Sequence, residues 1–214
     1  MYIAIEGVIG VGKTSLARLL QRQFDAQLLL EAFEENPFLS DFYDDRQRYA
    51  FQTQIFFLLS RYRQQRENVP AALENGNLIA DYTFEKDALF ARLNLEGDEL
   101  ETYQQVHNAL AERIAKPDLV VYLAVDTNTA MKRIAQRDRP YERNMDENYI
   151  EMVNRGYEQH FTDFTEHKVL TIDSSRLDFV ANGDHLEHIA NRIRDSLGIP
   201  PYQPSLPMDE GITR

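Results

Sequence analysis

Short apolar runs alternate with amphipathic segments along most of this chain. Five runs are rich in apolar residues and lack a regular polar alternation, which is typical of strands buried on both faces of a parallel sheet. They are Tyr2 to Ile5, Gln27 to Glu31, Asn77 to Asp81, Leu119 to Val125 and Lys168 to Ile172. Segments between them, such as Lys13 to Phe24 and Asp98 to Ala115, repeat apolar residues at helical spacing. The pattern predicts an α/β fold with a five-stranded parallel sheet flanked by helices.

A further helical segment, Arg46 to Glu67, is apolar on more than one side. Its large apolar residues are Phe51, Ile55, Phe56, Phe57, Leu58, Leu59 and Tyr62. This surface is too wide for a helix that packs only against one sheet. Two interpretations stay open, which are helix-to-helix packing in a homodimer and a thick core within one chain.

Length and composition favour one domain. The chain has 214 residues, of which 43% are hydrophobic, and no low-complexity run divides it. We expect the domain to span residues 1–198, with Gly198 ending the last helix. Residues 199–214 carry four prolines, so we expect a Pro-rich tail that is poorly ordered.

Charge and cysteine content exclude several classes of function. The net charge of -12 argues against a nucleic acid polymer as partner, because polyanion binding depends on a basic surface. The chain has no cysteine, which excludes disulfides, cysteine-bound zinc and thiol catalysis. We see no secretory leader and no apolar stretch long enough for a membrane span, so we expect a cytoplasmic protein without a membrane partner.

A complete phosphate-loop motif, G-x-x-x-x-G-K-T, follows the first apolar run. It consists of Gly7, Val8, Ile9, Gly10, Val11, Gly12, Lys13 and Thr14. Its glycines let backbone N–H groups approach phosphate oxygens at the N-terminus of the helix that follows. Lys13 is expected to bind the β- and γ-phosphates, and Thr14 to offer its hydroxyl group to Mg²⁺. The motif therefore predicts ATP and Mg²⁺ as ligands, whereas a plain glycine-rich turn is the weaker interpretation.

Two acidic residues close predicted strands. Ligands of open parallel sheets bind beyond the carboxyl ends of the strands, where Glu31 and Asp81 are expected to lie. Phosphoryl transfer requires one carboxylate that holds Mg²⁺ and one that accepts the proton of the attacking hydroxyl group. Glu31 and Asp81 are candidates for these two roles, with Asp81 as the expected metal residue, although either residue could instead cap the next helix.

Five basic residues crowd into one short segment, Lys132, Arg133, Arg137, Arg139 and Arg143. Such a run is often only a solvated helix face. In a chain with a phosphate loop, it also suits a clamp that closes on phosphate groups.

Several sequence blocks together resemble the deoxynucleoside kinase family, and most of all its bacterial deoxyguanosine and deoxyadenosine kinases. The blocks occur in the family's order over about residues 2–165, and together they are far more specific than the phosphate loop alone. They are Ile5-Glu6-Gly7, Glu35-Asn36-Pro37-Phe38-Leu39, Phe42-Tyr43, Ser60-Arg61-Tyr62-Arg63, Ala80-Asp81-Tyr82 and Arg137-Asp138-Arg139-Pro140. The resemblance implies a P-loop kinase fold with an arginine-rich lid.

The resemblance also implies roles for individual residues. Glu31 matches the general base that acts on the deoxyribose 5′-hydroxyl group, and Tyr43 and Glu142 match groups that bind the 3′-hydroxyl group. Gln54 matches the amide that reads the base edge. Arg61 and Asp87 match a pair that helps decide which base is accepted. The residues that match lid arginines, which close on ATP and stabilise the transferred phosphoryl group, are Arg133, Arg137 and Arg139.

Without the resemblance, the same residues have plainer interpretations. Gln54 could cap a buried backbone group, Tyr43 could be an aromatic core residue, and Arg61 and Asp87 could be an ordinary ion pair or not meet. The sequence also departs from many relatives, which carry arginine after the acidic residue of the third strand. Here Tyr82 follows Asp81, and Lys86 is a candidate to supply the charge.

The expected function is ATP-dependent phosphorylation of the 5′-hydroxyl group of a small-molecule deoxynucleoside, most of all a purine deoxynucleoside. A deoxycytidine kinase and a thymidylate-type nucleoside monophosphate kinase stay open as alternatives. So does a structural subunit that binds nucleotide without catalysis.

Overall fold

A computed structural model describes residues 1–163 and 168–200 of the chain. Its five strands are β1 (Tyr2–Glu6), β2 (Ala26–Leu29), β3 (Asn77–Ala80), β4 (Leu119–Ala124) and β5 (Val169–Asp173). The α-helices are α1 (Lys13–Gln23), α2 (Leu39–Asp44), α3 (Arg46–Glu74), α4 (Lys86–Asn94), α5 (Gly97–Ala111), α6 (Thr127–Arg137), α7 (Glu147–Asp163) and α8 (Gly183–Leu197). Two short 3₁₀ helices span Phe33–Glu35 and Pro140–Glu142.

The strands form one parallel sheet in the order β2-β3-β1-β4-β5. The central strand β1 is buried along its whole length, and Ile3 pairs with Ile79 of β3 on one side and with Leu119 of β4 on the other. Helices cover the faces of the sheet, so strands without polar alternation are the stable solution. The predicted α/β fold with a five-stranded parallel sheet is confirmed.

The glycines of the phosphate loop adopt backbone conformations that other residues rarely reach. Gly7 has φ of +146°, and a Cβ atom there would lie 2.6 Å from the carbonyl oxygen of Leu123. A Cβ atom at Gly10 would lie 2.8 Å from the carbonyl oxygen of Ala130 in α6. The loop therefore packs directly against β4 and against the helix that carries Arg133 and Arg137.

Helix α3 extends beyond the predicted end at Glu67 and continues through Pro70 to Glu74. Proline removes one backbone hydrogen bond, so a helix that continues through it is locally disfavoured. The last turns nevertheless bury Val69 and Ala72 in an apolar cluster with Tyr2 and Leu78. Tertiary packing thus sustains a helix that local propensity disfavours.

Most of the wide apolar surface of α3 faces the interior of the chain. Leu58 is buried, and Phe51, Ile55 and Tyr62 pack against the main core, whereas Leu59 is 50% exposed. A thick core within one chain therefore accounts for much of this surface. The homodimer stays a prediction.

The end of the predicted domain is partly visible. Gly198 adopts the left-handed conformation and ends α8, as predicted. Residues 201–214, which make up most of the predicted Pro-rich tail, lie outside the described residues. Within the part of the chain that the structure describes, no helix is long and apolar enough to cross a membrane.

Candidate active site

A cavity of about 390 Å³ opens where the chain leaves β1, β2 and β3. Residues from the phosphate loop, the strand ends, α2, α3 and the segment after α6 line it. The predicted site residues among them are Ile9, Gly10, Gly12, Lys13, Thr14, Glu31, Tyr43, Gln54, Arg61, Asp81, Arg137, Arg139 and Glu142. The fold therefore brings most of the predicted site together, although these residues come from distant parts of the chain.

The side chain of Lys13 lies over the phosphate loop. Its Nζ atom donates to the carbonyl oxygens of Gly7, at 2.7 Å, and Val8, at 3.1 Å. Burial and the nearby ammonium group of Lys86 lower the pKa of Lys13 to about 8. Lys13, the buried Lys86 and the N-terminus of α1 thus share one end of the cavity, which favours a polyanionic ligand there.

Asp81 joins the phosphate loop to the end of β2. One of its carboxylate oxygens, Oδ2, accepts a hydrogen bond from the hydroxyl group of Thr14, and Oδ1 accepts one from the backbone N–H of Glu31 at 2.8 Å. The hydroxyl and carboxylate oxygens are ligands that Mg²⁺ prefers, and they lie within hydrogen-bonding distance of each other. The pair therefore fits a magnesium ion that takes its remaining ligands from water and phosphate. No group of three or more acidic or histidine side chains suited to a metal occurs among the described residues.

Glu31 lies between two cations. Its Oε1 atom accepts hydrogen bonds from Nε and Nη2 of Arg61, and its Oε2 atom accepts one from Nζ of Lys86 at 2.7 Å. Burial by itself raises the pKa of the Glu31 carboxyl, but Arg61 and Lys86 outweigh it and hold the pKa well below its usual range. Glu31 is consequently ionised at neutral pH.

The other side of Arg61 meets Asp87, so the two residues form the pair that the resemblance implies. Nη1 of Arg61 donates to Oδ1 of Asp87, which is fully buried and does not line the cavity. Arg61 thereby links Asp87 in α4 to Glu31 beyond β2. Gln54, about two helical turns before Arg61 in α3, is 2% exposed and lines the cavity.

The segment after α6 covers the cavity. Arg137 binds Glu142 through two nitrogens, with the shortest contacts at 2.7 Å, and Arg139 lies 3.6 Å from the same carboxylate. The ring of Tyr141 stacks on the ring of Tyr43 in α2, with centroids 6.2 Å apart and planes 5° apart. This lid segment is thus fastened both within itself and to α2.

Arg133 does not line the cavity. Its guanidinium group donates to three backbone carbonyl oxygens, those of Val11 at 3.1 Å, Ser174 at 2.9 Å and Leu177 at 3.1 Å. It therefore ties the phosphate loop to the chain that follows β5. Its action as a lid arginine on ATP stays a prediction, as do the individual roles of the other predicted site residues. Of the remaining phosphate-loop residues, Gly7, Val8 and Val11 are also absent from the cavity lining.

Sequence reasoning missed two features of the site. Tyr141 belongs to the lid, and its position between Arg139 and Glu142 is the signal that could have identified it. Glu6 ends β1 and is buried, so the rule that selected Glu31 and Asp81 also applies to it. Its carboxylate accepts hydrogen bonds from Thr83 and Tyr157 rather than facing the cavity.

This geometry defines the class of the protein. A loop built to bind phosphate and an ionised carboxylate face one covered cavity at the carboxyl edge of a parallel sheet, which is the arrangement of a phosphate-loop kinase.

Comparisons with known proteins give the family. The model of the deoxynucleoside kinase family matches residues 3–197. The chain is 35% identical to a deoxyguanosine kinase of Bacillus subtilis over 199 residues, which are 91% of this chain and 96% of the relative. It is 33% identical to a deoxyguanosine kinase of Lactobacillus johnsonii over 205 residues, 89% of this chain and 90% of the relative. The chain therefore belongs to the deoxynucleoside kinase family.

Solved structures agree with this assignment. A deoxyadenosine kinase from M. mycoides superposes with a TM-score of 0.79 at 28% identity, over 91% of this chain and 100% of the relative. That enzyme was solved with dCMP and dCDP, with dCTP and with dATP bound. The resemblance seen in the sequence is confirmed, and the fold is that of a kinase. The match favours a deoxynucleoside kinase over the thymidylate-type and structural alternatives.

Proposed function

We propose that this protein transfers the γ-phosphoryl group of ATP to the 5′-hydroxyl group of deoxyguanosine or deoxyadenosine. The observation that carries the proposal is the ionised carboxylate of Glu31, which lines the same cavity as Lys13 and the phosphate loop. A base for the acceptor and a binding site for the donor thus share one space. The deoxyguanosine kinase relatives support the purine preference.

In the proposed reaction the loop N–H groups and Lys13 bind the β- and γ-phosphates of ATP. The 5′-oxygen attacks the γ-phosphorus atom, and the bond between this phosphorus atom and the bridging oxygen breaks, so that ADP leaves. The hydroxyl proton passes to Glu31. Glu31 is a weak base while only Arg61 and Lys86 surround it. The approaching phosphate anions raise the pKa of Glu31, which favours proton acceptance at the moment of transfer.

The lid arginines have the chemistry for charge stabilisation. Phosphoryl transfer depends mostly on positioning and on neutralising charge, and planar guanidinium groups bind phosphate oxygens in pairs. Arg137 and Arg139 line the cavity and are paired with Glu142. Closure of the lid on ATP also excludes water, which suppresses hydrolysis.

Thr14 and Asp81 are the residues that we propose to hold Mg²⁺. The ion would neutralise charge on the β- and γ-phosphate oxygens. Asp81 additionally keeps the backbone at Glu31 in place through its second oxygen, and this task does not depend on the metal.

The nucleoside is proposed to bind between α2, α3 and the lid. Tyr43 and Glu142 are suited to the 3′-hydroxyl group, and Gln54 to paired hydrogen bonds with the base edge. Arg61 and Asp87 then influence which base is accepted, because Asp87 fixes the guanidinium plane of Arg61.

Deoxycytidine is the second candidate substrate. The M. mycoides deoxyadenosine kinase that resembles this chain was solved with dCMP and with dCTP. Gln54 and the Arg61–Asp87 pair are compatible with a cytosine edge as well as with a purine.

Initial rates with ATP and Mg²⁺ test the proposal. The acceptors are deoxyguanosine, deoxyadenosine, deoxycytidine and thymidine, with dGMP and dTMP in the same series. We expect the highest rates on one or both purine deoxynucleosides. Turnover only of a monophosphate, or ATP binding without turnover of any acceptor, would contradict it. The Lys13→Met variant controls for contaminating kinases, because it removes the cation of the phosphate loop.

Two further expectations accompany this proposal. We propose that the protein is a homodimer, supported by the apolar face of α3 at which Leu59 is half exposed. Light scattering tests this, since a dimer has twice the mass of one chain. The cytoplasmic location also stays a prediction, and fractionation of cells with an antibody to the protein checks it.

A further inference from the structure

The position after Asp81 does not bring a cation into the cavity. Tyr82 occupies it, is fully buried, and donates its hydroxyl hydrogen to Oε1 of Gln64 at 2.6 Å. Gln64 in turn donates to the carbonyl oxygen of Leu30 at 2.8 Å. Tyr82 therefore braces the chain beside Glu31 but supplies no charge to it.

Lys86 supplies that charge from the first turn of α4. It is only 8% exposed, lines the cavity, and places Nζ 2.7 Å from Oε2 of Glu31. Its proximity to Lys13 is evident in the lowered pKa of Lys13, to which Lys86 contributes after burial. Lys86 thus lies between the proposed base and the proposed phosphate site.

Buried hydrogen bonds fix the start of α4. The backbone N–H of Lys86 donates to the hydroxyl oxygen of Thr83 at 3.3 Å. Thr83 donates to Oε1 of Glu6 from its backbone at 2.6 Å and from its hydroxyl group at 3.0 Å, and the other Glu6 oxygen accepts from Tyr157 at 2.9 Å. The end of β1 therefore determines where the Lys86 side chain begins.

The two oxygens of Glu31 are not equivalent. Oε1 accepts two N–H groups of Arg61, which fill both of its lone-pair directions. Oε2 accepts one hydrogen bond from Lys86, the only cation bound to it among residues 1–163 and 168–200, and has one direction left. Oε2 is consequently the atom that can receive a proton.

We propose that Lys86 is a positioning residue for phosphoryl transfer, which holds Oε2 of Glu31 in place and turns it towards the acceptor hydroxyl group. The inference rests on the proposed function and deepens it. In the step itself the hydroxyl O–H bond breaks, its proton passes to Oε2, the new O–P bond forms and the bond to ADP breaks.

Other charged and titratable groups also act on Glu31. Its neighbours from the packed elements are Arg61, Lys13, Asp81, Tyr43, Tyr82 and Tyr157. Arg61 remains in a Lys86 variant and still lowers the pKa of Glu31, so the loss of Lys86 acts on the position of Oε2.

The test combines Lys86→Met and Lys86→Arg with Glu31→Gln in a double-mutant cycle. At about pH 7.5 we expect Lys86→Met to lower kcat on the order of 10-fold or more with little change in KM for ATP, and Lys86→Arg to recover most of the loss. In the Glu31→Gln background, Lys86→Met should lower kcat by less than about 2-fold, because the Glu31 carboxylate through which Lys86 acts is already lost.

Lys168→Met is the matched control. It removes a lysine charge before β5, at the opposite edge of the sheet, where Lys168 donates to the carbonyl oxygen of Ser196. It should leave kcat unchanged. Thermal unfolding of every variant checks that the fold is retained.

Two results would overturn the inference. One is that Lys86→Met lowers kcat by the same factor in the wild-type protein and in Glu31→Gln, which would mean that Lys86 acts on phosphate directly. The other is a Glu31 carboxylate that keeps its wild-type position in a crystal structure of Lys86→Met. This comparison needs no turnover, so it tests Lys86 even if the wild-type protein phosphorylates no nucleoside and the proposed function fails.

Discussion

The hydroxyl group of Thr14 donates a hydrogen bond to Oδ2 of Asp81, which joins the first turn of α1 to the end of β3. Since Asp81 also accepts from the backbone N–H of Glu31, one carboxylate connects the donor side of the cavity to the acceptor side. Loss of the Thr14 contact and loss of the Glu31 contact should therefore have effects that can be measured separately.

Asp81→Asn should weaken the response to magnesium. The amide keeps an oxygen for the Glu31 backbone but lacks the charge that attracts a divalent cation. We expect the Mg²⁺ concentration for half-maximal rate to rise about 10-fold or more, measured at saturating ATP and nucleoside. Asp173→Asn, at the end of β5 and exposed, is the control that should not respond. If Asp81→Asn and Asp173→Asn had the same magnesium dependence, Asp81 would not be a ligand of the metal.

Glu31→Gln should remove the general base. We expect kcat to fall on the order of 10²-fold or more with a modest change in ATP affinity, because the Glu31 carboxylate accepts its hydrogen bonds from Arg61 and Lys86 and not from the phosphate loop. Steady-state rates and ATP binding by calorimetry measure the two effects. Near-normal kcat would show that another group accepts the proton.

ATP binding should take up a proton at about pH 8.5. The pKa of Lys13 is lowered to about 8 in the free protein, so a substantial fraction of its side chains is neutral at this pH. Phosphate anions favour the charged form and raise the pKa, which requires proton uptake. Calorimetry in buffers with different ionisation enthalpies measures this uptake. It should shrink towards zero at about pH 6.5 and in Lys13→Met, and an uptake that persists in Lys13→Met must come from another group.

Tyr141→Ala should weaken nucleoside binding through the lid. The ring stack between Tyr141 and Tyr43 is worth about 0.5–1.5 kcal/mol, so KM for the nucleoside should rise about 2- to 10-fold. Tyr141→Phe is the matched variant, because the Tyr141 hydroxyl group has no hydrogen-bond partner among the described residues. It should behave like wild type. A larger rise of the nucleoside KM in Tyr141→Phe than in Tyr141→Ala would mean that the hydroxyl group, and not the ring stack, supports nucleoside binding.

Glu6→Gln should destabilise the fold. The two oxygens of the buried Glu6 carboxylate accept from Thr83 and from Tyr157, and an amide replaces one of these acceptors with an NH₂ group. We expect the free energy of unfolding in urea to fall by about 2–3 kcal/mol. Tyr157→Phe, which removes one donor, should cost only about 1 kcal/mol. If Glu6→Gln were as stable as wild type, the network would not fix α4.

The sheet and the donor site could be predicted because their signals are local. The phosphate loop is one contiguous motif between a strand and a helix, and buried strands have a recognisable composition. The strand ends were less accurate. Strand β2 ends at Leu29, so that Glu31 lies beyond it with its N–H turned towards Asp81.

The links across the cavity could not be predicted because their partners are far apart in the sequence. The Lys86–Glu31 pair joins the start of α4 to the chain after β2, and the three carbonyl oxygens bound by Arg133 come from the loop and from the chain after β5. Nothing in the local pattern at Arg133 distinguishes a side chain that binds backbone from one that faces ATP. The family resemblance supplied the acceptor-side residues, and the fold then placed them on one cavity.

A competition assay tests the central claim most directly. Equal concentrations of deoxyguanosine, deoxyadenosine and deoxycytidine are incubated with limiting ATP, Mg²⁺ and the protein, and the 5′-monophosphates are separated and counted. The ratio of products gives the ratio of kcat/KM values in one experiment. The account predicts that dGMP or dAMP exceeds dCMP about 10-fold or more. A mixture dominated by dCMP would contradict the purine preference, and no monophosphate at all would contradict the kinase reaction itself.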